Sequence, residues 1–192
     1  MAPRQGLIAA PKLTVQTRHE IEALIALCKQ HEPIDLSLLL DSVPLPENDE
    51  NLYFLYYQED VLVGAASTWP GREIEVVGAV HPQHRRRGVG KALLAALRQE
   101  GRRRGVEEML LVCEEGAPSG TNFVVAMGAQ YEFGEYRMKL HRALYTQCPA
   151  PLKTLDLRRT STTDQNTLVE LLSISRELDQ RAARELTQRW LD

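Results

Sequence analysis

The sequence is short of cysteine, short of aromatics and free of long apolar runs, and each shortage removes a class of protein. Its three cysteines, Cys28, Cys113 and Cys148, are odd in number and widely spaced. That pattern fits reduced thiols better than a disulfide framework or a zinc cluster. No apolar stretch approaches the roughly 20 residues a membrane helix requires. Leu7 to Ala10 is too short, and too soon broken by Pro11, for a secretory signal. A cytoplasmic protein without a membrane segment is expected. Aromatics make up 6%, against 43% apolar and 26% charged residues, which excludes a collagen-like or disordered chain. At 192 residues the chain exceeds one typical domain of roughly 150, so one full core plus a remainder is expected.

Charge is scarce in sum and concentrated in place. The net charge is -3, yet His81 to Gly105 carries eight Lys or Arg against one acid, Glu100, while Asp41 to Asp60 carries six acids and no base. A local basic field in an acidic chain points to a small anionic ligand. A nucleic-acid partner is disfavoured by the overall acidity and the lack of interleaved aromatics.

Patterning gives the order of elements. Lys12 to Thr17 alternates as a short strand, and Arg18 to His31 places Ile21, Leu24, Ile25 and Cys28 at helical spacing before Pro33. Asp35 to Val43 reads as a second short helix. Asn51 to Tyr57 and Val61 to Trp69 form a hairpin around Gln58-Glu59-Asp60, and Glu73 to Val80 continues the meander. From Gly90 the period changes to about 3.6, through Ala92, Leu93, Ala96 and Leu97, until Gly105. Val106 to Cys113 is a further strand, Ser119 to Met127 a short helix, and Tyr131 to Leu140 a last strand or strand pair. The fold class is α/β, a mixed and mostly antiparallel sheet flanked by helices.

The chemistry concentrates where the meander ends. In IEVVGAVHPQHRRRGVGKALL, Ile74 to Leu94, a strand gives way to a basic glycine loop and then to a helix. Gly88 and Gly90 let the backbone approach a ligand, and the new helix offers free N–H groups and partial positive charge to a phosphate. Arg85, Arg86, Arg87 and Lys91 add charge, so the loop suits a diphosphate. A P-loop is excluded, because Arg85 stands where its first glycine belongs and Ala92 where its hydroxyl belongs. The dinucleotide fingerprint is excluded by Leu93 in place of its third glycine. Arg102 to Arg104, at the helix C-terminus, read as a solvated face. His81 and His84 lack a third ligand, so no metal is expected. Cys28 and Cys113 read as core residues, and Trp69 as a packed meander aromatic.

Arg85-Arg86-Arg87-Gly88-Val89-Gly90 resembles the acyl-CoA pyrophosphate loop, Arg or Gln-x-x-Gly-x-Gly or Ala, of the GNAT superfamily of N-acyltransferases. Ala79-Val80-His81-Pro82 upstream and Ala92-Leu93-Leu94 downstream resemble that family's flanks, and the element order agrees over about residues 12 to 142. The resemblance implies the GNAT fold, acetyl-CoA as cofactor and an amine as acetyl acceptor. It implies that the backbone of Gly78, Ala79 and Val80 pairs with the pantetheine arm where two strands splay apart. The amides of Arg86 to Lys91, Val89 and Gly90 among them, would hold the pyrophosphate. Asn122 and Phe123 fall on the helix that covers the cofactor in relatives.

Relatives often carry a catalytic carboxylate on the strand before the loop. Glu73 and Glu75 lie there, and Glu75 is the candidate base. Its parity is wrong: it stands five residues before Val80 where an even offset is usual, so a bulge would be needed to restore its facing. Glu114 and Glu115 are the alternatives. The tyrosine that serves relatives as an acid corresponds to Val124 here, and Tyr131 and Tyr136 are the tyrosines near it in sequence. These departures support a second reading, a catalytically reduced domain that binds acyl-CoA as a sensor or scaffold.

Past residue 145, Thr146 to Lys153 reads as a linker. Residues 154–192 repeat the opening strand-then-helix order, as a partial second GNAT-like unit too short for its own core. A fragment of a tandem protein is one expectation. A homodimer, or docking of this segment on the chain's own sheet or a neighbour's, is the other.

Overall fold

Thr14 and Thr17 decide where the first helix begins. The Thr14 hydroxyl accepts the Thr17 amide at 3.1 Å while the Thr14 amide donates to the Thr17 hydroxyl at 2.8 Å, a capping box that starts α1, Val15–Lys29. The alternation over 12–17 is therefore cap and first turn, not a strand. The strand lies one step earlier: β1, Gly6–Ala10, pairs antiparallel with β2, Tyr53–Gln58. The apolar patch before Pro11 is thus a sheet edge.

The computed structural model describes residues 3–37, 40, 50–69, 74–136, 138–141, 158–175 and 180–191. Glu59 and Asp60 turn the chain from β2 into β3, Val61–Thr68, with φ of 49° and 65°, as a tight two-residue hairpin requires. β4, Ile74–Val80, adds antiparallel to β3, and β5, Met109–Leu111, adds parallel to β4. The sheet runs in the order β1-β2-β3-β4-β5, the mixed and mostly antiparallel arrangement expected.

Strand alternation sends side chains to two helices. Ile21, Leu24 and Cys28 of α1 pack with Leu55, Ala65, Val77 and Ala79 on one face. On the other, Val89, Leu93 and Leu97 of α2, Val89–Arg104, pack with Phe54, Val63, Ile74 and Val76. Gly64 lets α2 lie this close, since a Cβ there would meet Val89 Cγ1 at 2.6 Å. The cation cluster at the end of α2 is not wholly a solvated face. The Arg104 side chain is 4% exposed, binds Glu100 at 2.9 Å and donates to the carbonyls of Trp69 and Asn51 at 2.9 and 2.6 Å. It pins both ends of the β2–β3 hairpin to the helix.

α3, Pro118–Ala126, follows β5. Beyond it, residues 131–136 and 138–141 are not in a strand, and Tyr131, Phe133 and Tyr136 are exposed, so the alternation there is not matched by burial. Most of the short helix expected over Asp35–Val43 lies outside the described residues, as do Glu73 and Cys148. Residues 135–192 form a second compact unit, in which α4, Gln165–Ser175, and α5, Gln180–Leu191, bury Val169, Leu172 and Ala183 against each other. Of the strand expected at Thr154–Arg159, residues 154–157 lie outside the described set, and Arg158 and Arg159 are not in a strand. No described helix is long and apolar enough to cross a membrane.

Candidate functional site

β4 and β5 pair only from Ile74–Met109 to Val76–Leu111, and one further bond, Val112 N–H to the Val76 carbonyl at 2.9 Å, closes the pairing. Past that point the strands part. The His81 amide donates to the Val63 carbonyl at 2.9 Å on the β3 side. By alternation, Gly78 and Val80 then turn their amides and carbonyls toward the gap on the β5 side. The gap is a cavity of about 520 Å³, lined on one side by Gly78, Ala79 and Val80 and on the other by Leu111, Val112 and Cys113.

The loop beyond β4 closes one end of this cavity. Arg86 and Gly88 take left-handed backbone, φ 60° and 88°, and Gly88 caps α2 without any side-chain bond, leaving the first-turn amides to a ligand. Arg85, Arg86, Gly88, Gly90 and Lys91 all line the cavity, and Phe123 of α3 closes over Gly90, where a Cβ would lie 3.1 Å from its ring. Arg87 and Asn122 are exposed and outside the lining, and the Val89 side chain is buried beneath the sheet.

Among the carboxylates the structure separates what the sequence left together. Glu75 pairs in register with Leu110 in the closed part of the strand pair, exposed and outside the cavity lining. The β3–β4 register runs unbroken from Gly64–Val80 to Thr68–Val76, so no bulge re-aims it over that stretch. Glu115 is exposed and outside the lining as well. Glu114 does line the cavity, and its two oxygens accept the amides of Asp35 and Leu36, both at 2.6 Å. Val124 lines the cavity too, while Tyr131 and Tyr136 stand 85% exposed.

Sequence reading missed Glu32. It lies just past α1, yet it binds Arg85 Nη1 at 2.9 Å and accepts the Ser119 amide and hydroxyl at 2.9 and 2.8 Å. Burial raises its pKa, but the Ser119 and Arg85 bonds outweigh that and hold it below the usual carboxylate value. No local pattern could have found it, because its partners are 53 to 87 positions away in chain and meet only in the fold. Cys28, expected in the core, is buried there and also lines the cavity, its thiol 3.6 Å from the Val80 carbonyl. Burial raises its pKa, so it stays a neutral donor. His84 Nδ1 bonds Gln58 Oε1 at 2.8 Å, and His81 Nδ1 accepts the Gln83 amide. No metal-binding group of three His, Cys, Asp or Glu occurs among the described residues.

A model of the acetyltransferase (GNAT) family matches residues 19–128. The fold is similar to that of ribosomal-protein-alanine N-acetyltransferase from Brucella melitensis biovar Abortus 2308, at 19% identity over 71% of this chain and 100% of that one, with a TM-score of 0.52. It is also similar to an aminoglycoside acetyltransferase from an uncultured soil metagenomic sample, at 16% identity over 73% of this chain and 100% of that one, with a TM-score of 0.54. No curated protein sequence matches.

Proposed function

This chain belongs to the acetyltransferase (GNAT) family, and on that premise we propose that it moves an acetyl group from acetyl-CoA to an amine of a small molecule or protein. The observation that carries this reading is the cavity between β4 and β5, which joins an unpaired backbone edge to an uncapped helix N-terminus. An extended amide-bearing arm fits the first and a diphosphate the second. When bound, the cofactor supplies an acetyl thioester open to attack by an amine.

The chain's own residues then have defined tasks. Gly78 and Val80 pair the arm through their backbone, while the amides from Arg86 to Lys91 and the Lys91 charge hold the diphosphate. Phe123 packs over the loop and excludes water. Among the described residues two carboxylates line the cavity, Glu32 and Glu114. Glu32 is held by Arg85 and Ser119, which leaves Glu114 as the proton acceptor for an ammonium, while Glu75, the candidate from the sequence, lies outside the lining. Val124, at the position matched to the relatives' tyrosine, lines the cavity and offers no proton to a leaving thiolate.

A cytoplasmic location and the division into 1–145, a linker at 146–153 and a partial second unit at 154–192 belong to the same proposal. The first is supported by the free thiols of Cys28 and Cys113, the second by the helical pair of residues 135–192. The test is a melting experiment with CoA. At 100 times its dissociation constant a ligand adds about 2.7 kcal/mol, so an unmoved transition sinks the cofactor reading. Thiol release over a panel of amines then reads activity. Binding with flat traces for every amine returns the sensor reading.

A further inference from the structure

Arg85 occupies the first position of the basic loop, where its charge reads as a ligand for the diphosphate. Its side chain does something else. Nε donates to the Val80 carbonyl at 3.2 Å and Nη1 binds Glu32 at 2.9 Å, with the side chain 25% exposed and Glu32 12%. Glu32 is itself held by the amide and hydroxyl of Ser119 at the start of α3. The Cys28 thiol reaches the same Val80 oxygen at 3.6 Å.

Two donors therefore converge on the last carbonyl of the β4 edge. Building on the acetyl-CoA reading above, we propose that Arg85 is a positioning residue for the pantetheine arm. Held by Glu32, it caps the Val80 carbonyl and so restricts pairing to the Gly78 amide and carbonyl and the Val80 amide. A free carbonyl at Val80 would let an amide-bearing chain bond one step further along the strand, since the groups facing the gap repeat every second residue. Glu32 also ties the end of α1 to the start of α3 through Ser119, which fixes the width of the cavity mouth around the capped strand.

The experiment compares two probes, CoA and pantetheine, which lacks the nucleotide and its diphosphate, by titration calorimetry against wild type, Arg85→Lys, Glu32→Gln and Arg86→Ala. A positioning role predicts that Arg85→Lys, which keeps the charge but loses the Nε–H, weakens both probes by a similar factor of roughly tenfold. Glu32→Gln does the same, whereas Arg86→Ala weakens CoA alone. If Arg85→Lys binds both probes as wild type does, or if only CoA suffers, Arg85 acts as a charge for the diphosphate and the proposal is overturned. Melting curves of the variants without ligand show whether each is folded. Wild type that binds neither probe overturns the cofactor reading itself, and this inference with it.

Discussion

Glu114 and Leu36 meet through a bond of 2.6 Å between a side-chain carboxylate and a backbone amide, 78 positions apart in sequence. The second oxygen of Glu114 takes the neighbouring Asp35 amide at 2.6 Å, and Leu36 itself has φ 53°. The segment after β5 thereby holds the loop after α1, with Leu36 in left-handed backbone, beside the cavity. The Glu114 carboxylate lines the cavity and fixes a wall of it through the two backbone amides.

Glu114→Gln is expected to lower kcat/KM by roughly a hundredfold, the lower range for a lost general base, while Glu75→Gln leaves turnover unchanged. Steady-state rates with one acetyl-accepting amine check both. Equal losses in the two variants, or a loss at Glu75 alone, would return the base to the strand.

Replacement of Arg104 by alanine should destabilise the first unit by about 3–5 kcal/mol, because it strips a buried cation from Glu100 and orphans two carbonyls. The side chain is 4% exposed and contacts Trp69, Asn51 and Glu100 together. Urea denaturation measures the change. A loss below about 1 kcal/mol, the range of a surface pair, would show the network to be solvated.

Gly64→Ala should cost about 1–3 kcal/mol through overpacking, since the new Cβ would stand 2.6 Å from Val89 Cγ1 and 3.1 Å from Leu93 Cδ1. Displacement of α2 should also weaken CoA binding if the amides at its start hold the diphosphate as proposed. Denaturation and calorimetry on the same sample read the two effects. Unchanged stability would mean that α2 is free to move off the sheet.

Acid should unfold the first unit earlier than its net charge suggests. Burial pushes Glu20 and Glu100 upward, but hydrogen bonds from Arg4, Tyr57 and Gln16 to Glu20, and from Arg103, Arg104 and the Asn51 amide to Glu100, lower both from 4.5 to about 2. A depressed carboxylate stabilises the fold above its unfolded pKa and loses that contribution as pH falls through the folded one. Stability measured by denaturant titration should therefore fall steadily between pH 4.5 and 2. Glu100→Gln should flatten that slope, and an unaltered slope would count against the ion pairs.

The order of the central elements was legible because alternation and helical spacing each bury one face, so Tyr53–Gln58, Val61–Thr68 and α2 emerge near their expected bounds. The first strand was not, since a capping box of two threonines mimics alternation over Lys12 to Thr17. The loop from Arg85 to Lys91 was legible as well, because glycine placement and helix onset are local properties. Its individual side chains were not.

The sequence by itself determined the family, the period of each main element and the place of the basic glycine loop, all of which depend on neighbours within a few residues. Tertiary structure alone decided which carboxylates face the cavity, Glu32 and Glu114. Glu75 and Glu114 look alike as letters, but a paired strand leaves one exposed while the segment past β5 brings the other to the cavity. It also decided that Arg85 answers to Glu32 and Val80. A long side chain takes its partner from whatever the fold brings within reach, and that distance is not written along the chain.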